Sequence, residues 1–72
     1  MKKIAIVPRP GHQVGVELLT SISCLRKAGV HARSAVIGPM CAIVWIDDDK
    51  IPTALDALRS RDFEATELTE AD

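Results

Sequence analysis

The chain has 72 residues, which is enough for one small domain, and we expect a single domain over residues 1–72. Nine basic residues against ten acidic ones give a net charge of −1. This balance excludes the basic surface typical of a general nucleic-acid binder. Because only one Trp and one Phe are present, the core is expected to consist of Ile, Val, Leu and Ala. So small a core favours stabilisation by a disulfide, a metal or a partner chain.

The beginning of the sequence does not have the pattern of a targeting or membrane segment. After Lys2-Lys3 only the four residues Ile4 to Val7 are apolar before Pro8. This run is too short for the core of a signal peptide or for a membrane span. The sequence therefore predicts a cytoplasmic protein without a membrane partner.

The first half of the chain predicts a strand, a loop and a helix. Lys3 to Val7 is a β-branched run ended by Pro8, and the segment 9–15, with its glycines and Pro10, predicts a loop. An amphipathic helix is predicted from Val16 to Ala28, ended by Gly29. Its expected buried stripe consists of Leu18, Leu19, Ile22, Leu25 and Ala28. Glu17 and Ser21 are expected outside this stripe, and Glu17 is expected to complement the helix dipole.

Two further strands are predicted next. Residues 30–37 mix polar and apolar side chains, which is typical of an edge strand, and Gly38-Pro39 turns the chain. Residues 41–46 form an unbroken apolar run, which favours a central strand buried on both faces.

The last part of the sequence predicts a helix and a fourth strand. Asp48 or Asp49 is expected to cap the second helix, with Pro52 in its first turn. The helix is expected to end within 59–61. Residues 63–68 predict the fourth strand, and residues 69–72 a frayed acidic tail.

This order of elements predicts an α+β domain of the ferredoxin-like βαββαβ class. Its four-stranded antiparallel sheet would carry two helices on one face, with strands one and three in the middle. Alternate residues among Ala5, Val7, Ala42, Val44 and their neighbours would then face the uncovered side. We expect self-association through the sheet face, the helices or an edge strand.

Several segments resemble an ACT domain over nearly the whole chain. They are the strand Ile4–Val7, the Pro10-Gly11 turn and the helix that closes on Arg26-Lys27-Ala28-Gly29-Val30. Members of that family have a glycine turn after strand one. Because His12-Gln13-Val14 separate the two glycines, either Gly11 or Gly15 is the counterpart.

The resemblance implies a small regulatory or sensing module. It implies an amino acid or similar metabolite bound where two copies meet, in a homodimer or larger homo-oligomer, and a regulated enzyme partner. Arg9 would pair with the ligand carboxylate, as would N–H groups at the helix start, while His12 or Gln13 would contact the ligand side chain. The ligand-binding residues on this interpretation are Arg9, Pro10, Gly11, His12, Gln13, Val14, Gly15 and His31.

Two other classes of function remain open. One is a protein-docking scaffold without a small ligand. The other is a small oligomeric enzyme, for which Arg9, His12 and His31, expected near one end of the sheet, are the only evident candidates. No residue is predicted to be catalytic, because neither histidine has a carboxylate partner nearby in sequence.

No metal and no cofactor are predicted. His12, His31, Cys24 and Cys41 form no short chelating motif, and the cysteines are expected to be reduced core residues. The glycine loop lacks the spacing of a nucleotide-binding signature. Trp45 is expected in the core or an interface.

Overall fold

The computed structural model describes residues 1–69. Of the predicted frayed tail, residues 70–72 therefore lie outside the described residues. The helices and strands, in chain order, are β1 (Lys2–Val7), α1 (Val14–Lys27), β2 (Ser34–Ile37), β3 (Ala42–Ile46), a 3-10 turn (Asp48–Lys50), α2 (Ile51–Ser60) and β4 (Glu64–Leu68). The structure is a small α+β domain with two helices and four strands.

The four strands form one antiparallel sheet in the order β2-β3-β1-β4. The continuously apolar strands β1 and β3 lie in the centre, and the mixed strands β2 and β4 lie at the edges, as the sequence predicts. Ile4 pairs with Val44, and Lys3 pairs with Trp45. Since successive side chains point to opposite faces, this register separates two surfaces of the sheet.

One surface of the sheet belongs to the hydrophobic core. Ile4, Ile6 and Val44 are fully buried there, and the core joins them to Leu25 of α1 and Leu58 of α2. Aliphatic residues make up most of this core, as the composition predicts, and Phe63 is its one described aromatic member.

The other surface, called here the open sheet face, consists of alternate residues that no described element covers. Ile43 and Trp45 are half-buried on it, whereas Val36 and Val7 are 51% and 40% exposed. Complete burial of β3 on both faces is therefore wrong: its alternate residues are buried only on the face that belongs to the hydrophobic core.

The buried stripe of α1 differs from the predicted one. Leu19 is 70% exposed, whereas Glu17 and Ser21 are buried beside Leu18 and Leu25. Helix geometry allows this, because positions 14, 17, 18, 21 and 25 follow one face of the helix. Ser21 satisfies its hydroxyl by donating to the Leu18 carbonyl at 2.7 Å.

The end of α1 follows the sequence prediction, whereas the next strand is shorter than predicted. Gly29 has φ +80°, and its N–H donates to the Arg26 carbonyl. The Val30 N–H donates to the Leu25 carbonyl, completing a left-handed helix cap. The next strand, β2, begins at Ser34 rather than at residue 30.

The start of α2 is not capped in the predicted way. Neither Asp48 nor Asp49 makes a side-chain capping bond, and both lie in a 3-10 turn that leads into the helix. Pro52 does lie in the first turn, where it loses no helical hydrogen bond. Among the described residues, no helix is long and apolar enough to cross a membrane.

Burial along α1 generates a stability prediction with an internal control. Leu25→Ala removes a fully buried side chain and should lower the free energy of unfolding by about 3 kcal/mol. Leu19→Ala, on the exposed side of the same helix, should change it by less than about 0.5 kcal/mol. Urea denaturation measures both, and equal losses would contradict the described orientation of α1.

Candidate functional site

The loop between β1 and α1 begins with a tight turn. The His12 N–H donates to the Arg9 carbonyl at 2.9 Å, with Pro10 and Gly11 at the two central positions. Gly11 has φ +82°, a left-handed conformation that strains other residues. Proline followed by such a glycine is the pattern of a type II turn.

A buried carboxylate accepts hydrogen bonds from Arg9, the first residue of this turn. Glu17 is only 1% exposed, and its Oε2 accepts from the Arg9 backbone N–H at 2.8 Å and from the Arg9 Nε at 2.9 Å. Its Oε1 accepts from the Arg9 Nη2 at 2.9 Å, and the His12 Nδ1 lies 3.2 Å from the same oxygen. Both carboxylate oxygens are therefore satisfied inside the protein.

Arg9 also contacts the connection between α2 and β4, which lies beside the end of β1 because Val7 pairs with Glu64. Its guanidinium carbon lies 4.5 Å above the centre of the Phe63 ring, a cation–π geometry. Its Nη1 donates to the Arg61 carbonyl at 3.4 Å. One side chain thus joins the end of β1, the first turn of α1 and the connection from α2 to β4.

These contacts lower the pKa of Glu17 to about 2. The side-chain hydrogen bond from Arg9 is the main cause, and it outweighs burial, which acts in the opposite direction. The same bond raises the pKa of Arg9. Both Glu17 and Arg9 are therefore ionised at neutral pH.

The beginning of α1 offers free hydrogen-bond donors. Gln13 precedes the helix in an extended conformation and makes no side-chain capping bond, and the first described backbone bond runs from the Glu17 N–H to the Gln13 carbonyl. Within residues 1–69, the N–H groups of Val14, Gly15 and Val16 therefore have no recorded acceptor. Such a helix start suits an anion, because the donors and the helix dipole act together.

Gly15 lies in this first turn, and no contact within the described residues explains why a glycine occupies the position. Its φ is not left-handed, and a Cβ added there would meet no described atom within 4 Å. Neither backbone conformation nor packing therefore requires glycine, which costs a helix stability. The absence of a side chain leaves the adjacent N–H groups accessible.

The structure brings most of the predicted ligand-binding residues together and leaves one apart. Residues 9–15 form the turn and the helix start, with Val14 and Gly15 inside the helix rather than in the loop. His31 lies at the opposite end of the sheet. His31 comes just before β2, and the first residue of β2, Ser34, pairs with Trp45, which pairs in turn with Lys3. His31 is therefore near the start of β1, whereas the loop follows the end of β1.

Glu17 is the site residue that the sequence interpretation missed. Assigning it to the helix dipole overlooked its position three residues after Val14 and immediately before Leu18, on the buried face. A carboxylate at that position needs a partner, and Arg9 is the first cation before it in sequence. Among the described residues, no three potential metal ligands come together.

The ion pair generates a prediction with a defined pH dependence. At neutral pH, Glu17→Gln should lower the free energy of unfolding by on the order of 2 kcal/mol, because it leaves Arg9 without its charged partner. The exposed Glu64→Gln is the matched control and should have little effect.

The same variant tests the pKa. Because the folded-state pKa of Glu17, about 2, lies below its ordinary value of 4.5, its contribution is present above pH 4.5 and is lost as the pH falls towards 2. In urea denaturation, the difference between the wild type and Glu17→Gln should therefore shrink over this interval. A difference independent of pH would contradict an ionised, paired Glu17.

Comparison with known proteins assigns no family. No family model matches the sequence, and neither curated proteins nor solved structures give a significant match.

Proposed function

We propose that this chain is a small regulatory module that binds an amino acid or a similar metabolite at the β1–α1 loop, where two copies meet. The uncapped start of α1 is the observation that carries this proposal. Its first-turn N–H groups have no recorded acceptor among the described residues, and Gly15 keeps them unobstructed. A ligand carboxylate would accept from these groups and interact favourably with the helix dipole.

Arg9 holds the site in place in this proposal. Two of the donors that a ligand carboxylate would need, Nε and Nη2, already bond to Glu17. The ion pair therefore positions the loop, while the backbone of α1 provides the charge recognition. His12 and Gln13 lie beside the helix start, where they would contact the rest of the ligand.

The proposal includes the finer fold assignment. The strand order β2-β3-β1-β4 and the antiparallel pairing of all neighbours support a ferredoxin-like arrangement with both helices on one face. Contacts of residues from both helices in one core support the same arrangement. On this basis the ACT-like interpretation remains our proposal for the family.

A contact between two copies would use the edge of the sheet. All four residues of β2 are exposed, and the strand pairs only with β3 among the described elements. Val36, Ile37 and Met40 expose 51%, 57% and 79% of their surface along this edge. An exposed apolar edge with free backbone groups favours pairing with another chain.

The helix-start hypothesis predicts opposite effects of Gly15→Ala on stability and on binding. The substitution should raise the melting temperature of the free chain, because alanine favours a helix by up to about 1 kcal/mol. It should also reduce the melting-temperature shift caused by the amino acid that stabilises the wild type, because the methyl group obstructs the N–H groups. A thermal-shift screen against the common amino acids measures both effects.

Gly11→Ala is the comparison variant. It should lower stability by about 1 kcal/mol, because Gly11 has φ +82°. A Gly15→Ala chain that keeps the full ligand response, or a wild type that responds to no amino acid, would contradict the proposed function.

One observation favours a second function, that of a protein-docking scaffold without a small ligand. The open sheet face places Val36, Ile43 and Trp45 on adjacent strands with no described element above them. A partner protein covering this face would bury them and exclude water from the apolar surface.

Trp45, the only tryptophan, reports on the open sheet face. If a second copy of this chain is the partner that covers this face, raising the protein concentration should shift Trp45 emission to shorter wavelength, and Val36→Lys should abolish the shift. Ile37→Lys is the matched control, because Ile37 is similarly exposed but points to the other side of β2. Equal loss in both variants would assign the contact to the strand edge instead.

A further inference from the structure

A groove lies between the two helices, apart from the start of α1. It has a volume of about 520 Å³, with Phe63 at its floor. Its rim carries Thr20, Ser23 and Lys27 from α1, and Ser60 with Arg61 from α2 and its end. The volume falls in the range of small-molecule sites, about 300–1,000 Å³.

The direction of the two helices places the cations of the groove at opposite ends. The Cys24 thiol donates to the Ala57 carbonyl at 3.4 Å, which fixes the middle of the groove. Arg9, which bonds to Glu17, also reaches the Arg61 carbonyl, so Arg61 lies towards the beginning of α1. Lys27 lies towards the other end of α1, ten residues after Glu17, which is about 15 Å along the helix at 1.5 Å of rise per residue.

The charge of the groove is positive. Neither Lys27 nor Arg61 takes part in an ion pair among the described residues, and no carboxylate is among the residues that line the groove. Each cation also lies near the C-terminal end of its helix, where it complements the dipole. Both nevertheless line the groove, so Lys27 and Arg61 would each attract an anionic group of a ligand.

Hydroxyl groups from both helices line the groove together with the two cations. Thr20 donates its proton to carbonyls of its own helix at 3.0 and 3.1 Å, and Ser60 donates to the Ala57 carbonyl at 2.8 Å. Since these protons are used, the two oxygens can accept hydrogen bonds from a ligand. The Ser23 hydroxyl has no recorded partner within residues 1–69 and can donate or accept.

We propose that this groove binds a small polyhydroxylated molecule with an anionic group at each end, of the sugar bisphosphate class. Lys27 interacts with one anionic group and Arg61 with the other. The ligand hydroxyls donate to Thr20 and Ser60. This site is independent of the amino-acid site proposed at the start of α1.

An NMR titration of the full chain with fructose bisphosphate tests the site. The amide signals of Ser23, Lys27 and Ser60 should shift with saturation, whereas fructose without phosphate should cause no shift. Lys27→Gln and Arg61→Gln should each weaken binding about tenfold, because each removes a charge-assisted contact. Arg26→Gln is the matched control, since Arg26 lies next to Lys27 but does not line the groove, and it should weaken binding less than about twofold.

The two cysteines provide a second measurement with an internal reference. Both are free and half-buried, but only Cys24 lines the groove. Fructose bisphosphate should slow alkylation of Cys24 and leave the alkylation rate of Cys41 unchanged, as followed by mass spectrometry.

Three outcomes would overturn the proposal: no saturation at millimolar fructose bisphosphate, an equal loss of affinity in Arg26→Gln, or equal protection of both thiols. None of these depends on the amino-acid response of Gly15→Ala, so the two proposals fail separately.

Discussion

The ion pair between Arg9 and Glu17 is the interaction on which the rest of the structure depends. A glutamate that is 1% exposed is costly to bury unless its charge is compensated, and Arg9 compensates it with three hydrogen bonds, one from its backbone. The ion pair in turn depends on the loop, because Arg9 can reach Glu17 only if the chain reverses direction immediately after β1. The turn with Gly11 in a left-handed conformation provides this reversal.

This constraint also relates the two proposed sites to each other. Glu17 fixes the loop against α1 through its bonds to Arg9. The N–H donors of the helix start are therefore already in position before a ligand binds, which lowers the entropic cost of binding. On its other side Arg9 covers the Phe63 ring and bonds to the Arg61 carbonyl. Phe63 and Arg61 also border the groove between the helices. Arg9 thus contacts residues next to both proposed sites.

The strand pattern could be predicted from sequence because apolar runs and turn residues are local signals. The central positions of β1 and β3 followed from their continuous apolar character, and Gly29 marked the end of α1 correctly. The buried ion pair could not be predicted with the same rules, because a charged residue on a helix is normally solvated and only the folded chain brings Glu17 under the loop. Residues 9–15 do lie together, and their role in ligand binding stays a prediction. His31 was grouped with them, although the sheet direction separates it from them.

A double-mutant cycle at Arg9 and Glu17 tests the central claim most directly. The free energy of unfolding would be measured by urea denaturation for the wild type, Arg9→Gln, Glu17→Gln and the double variant. If the pair holds the loop as described, the effects should be non-additive, with a coupling energy of at least about 1 kcal/mol, because either single substitution already breaks the shared contact. Additive effects, within about 0.5 kcal/mol, would contradict this account and leave the loop without its structural support.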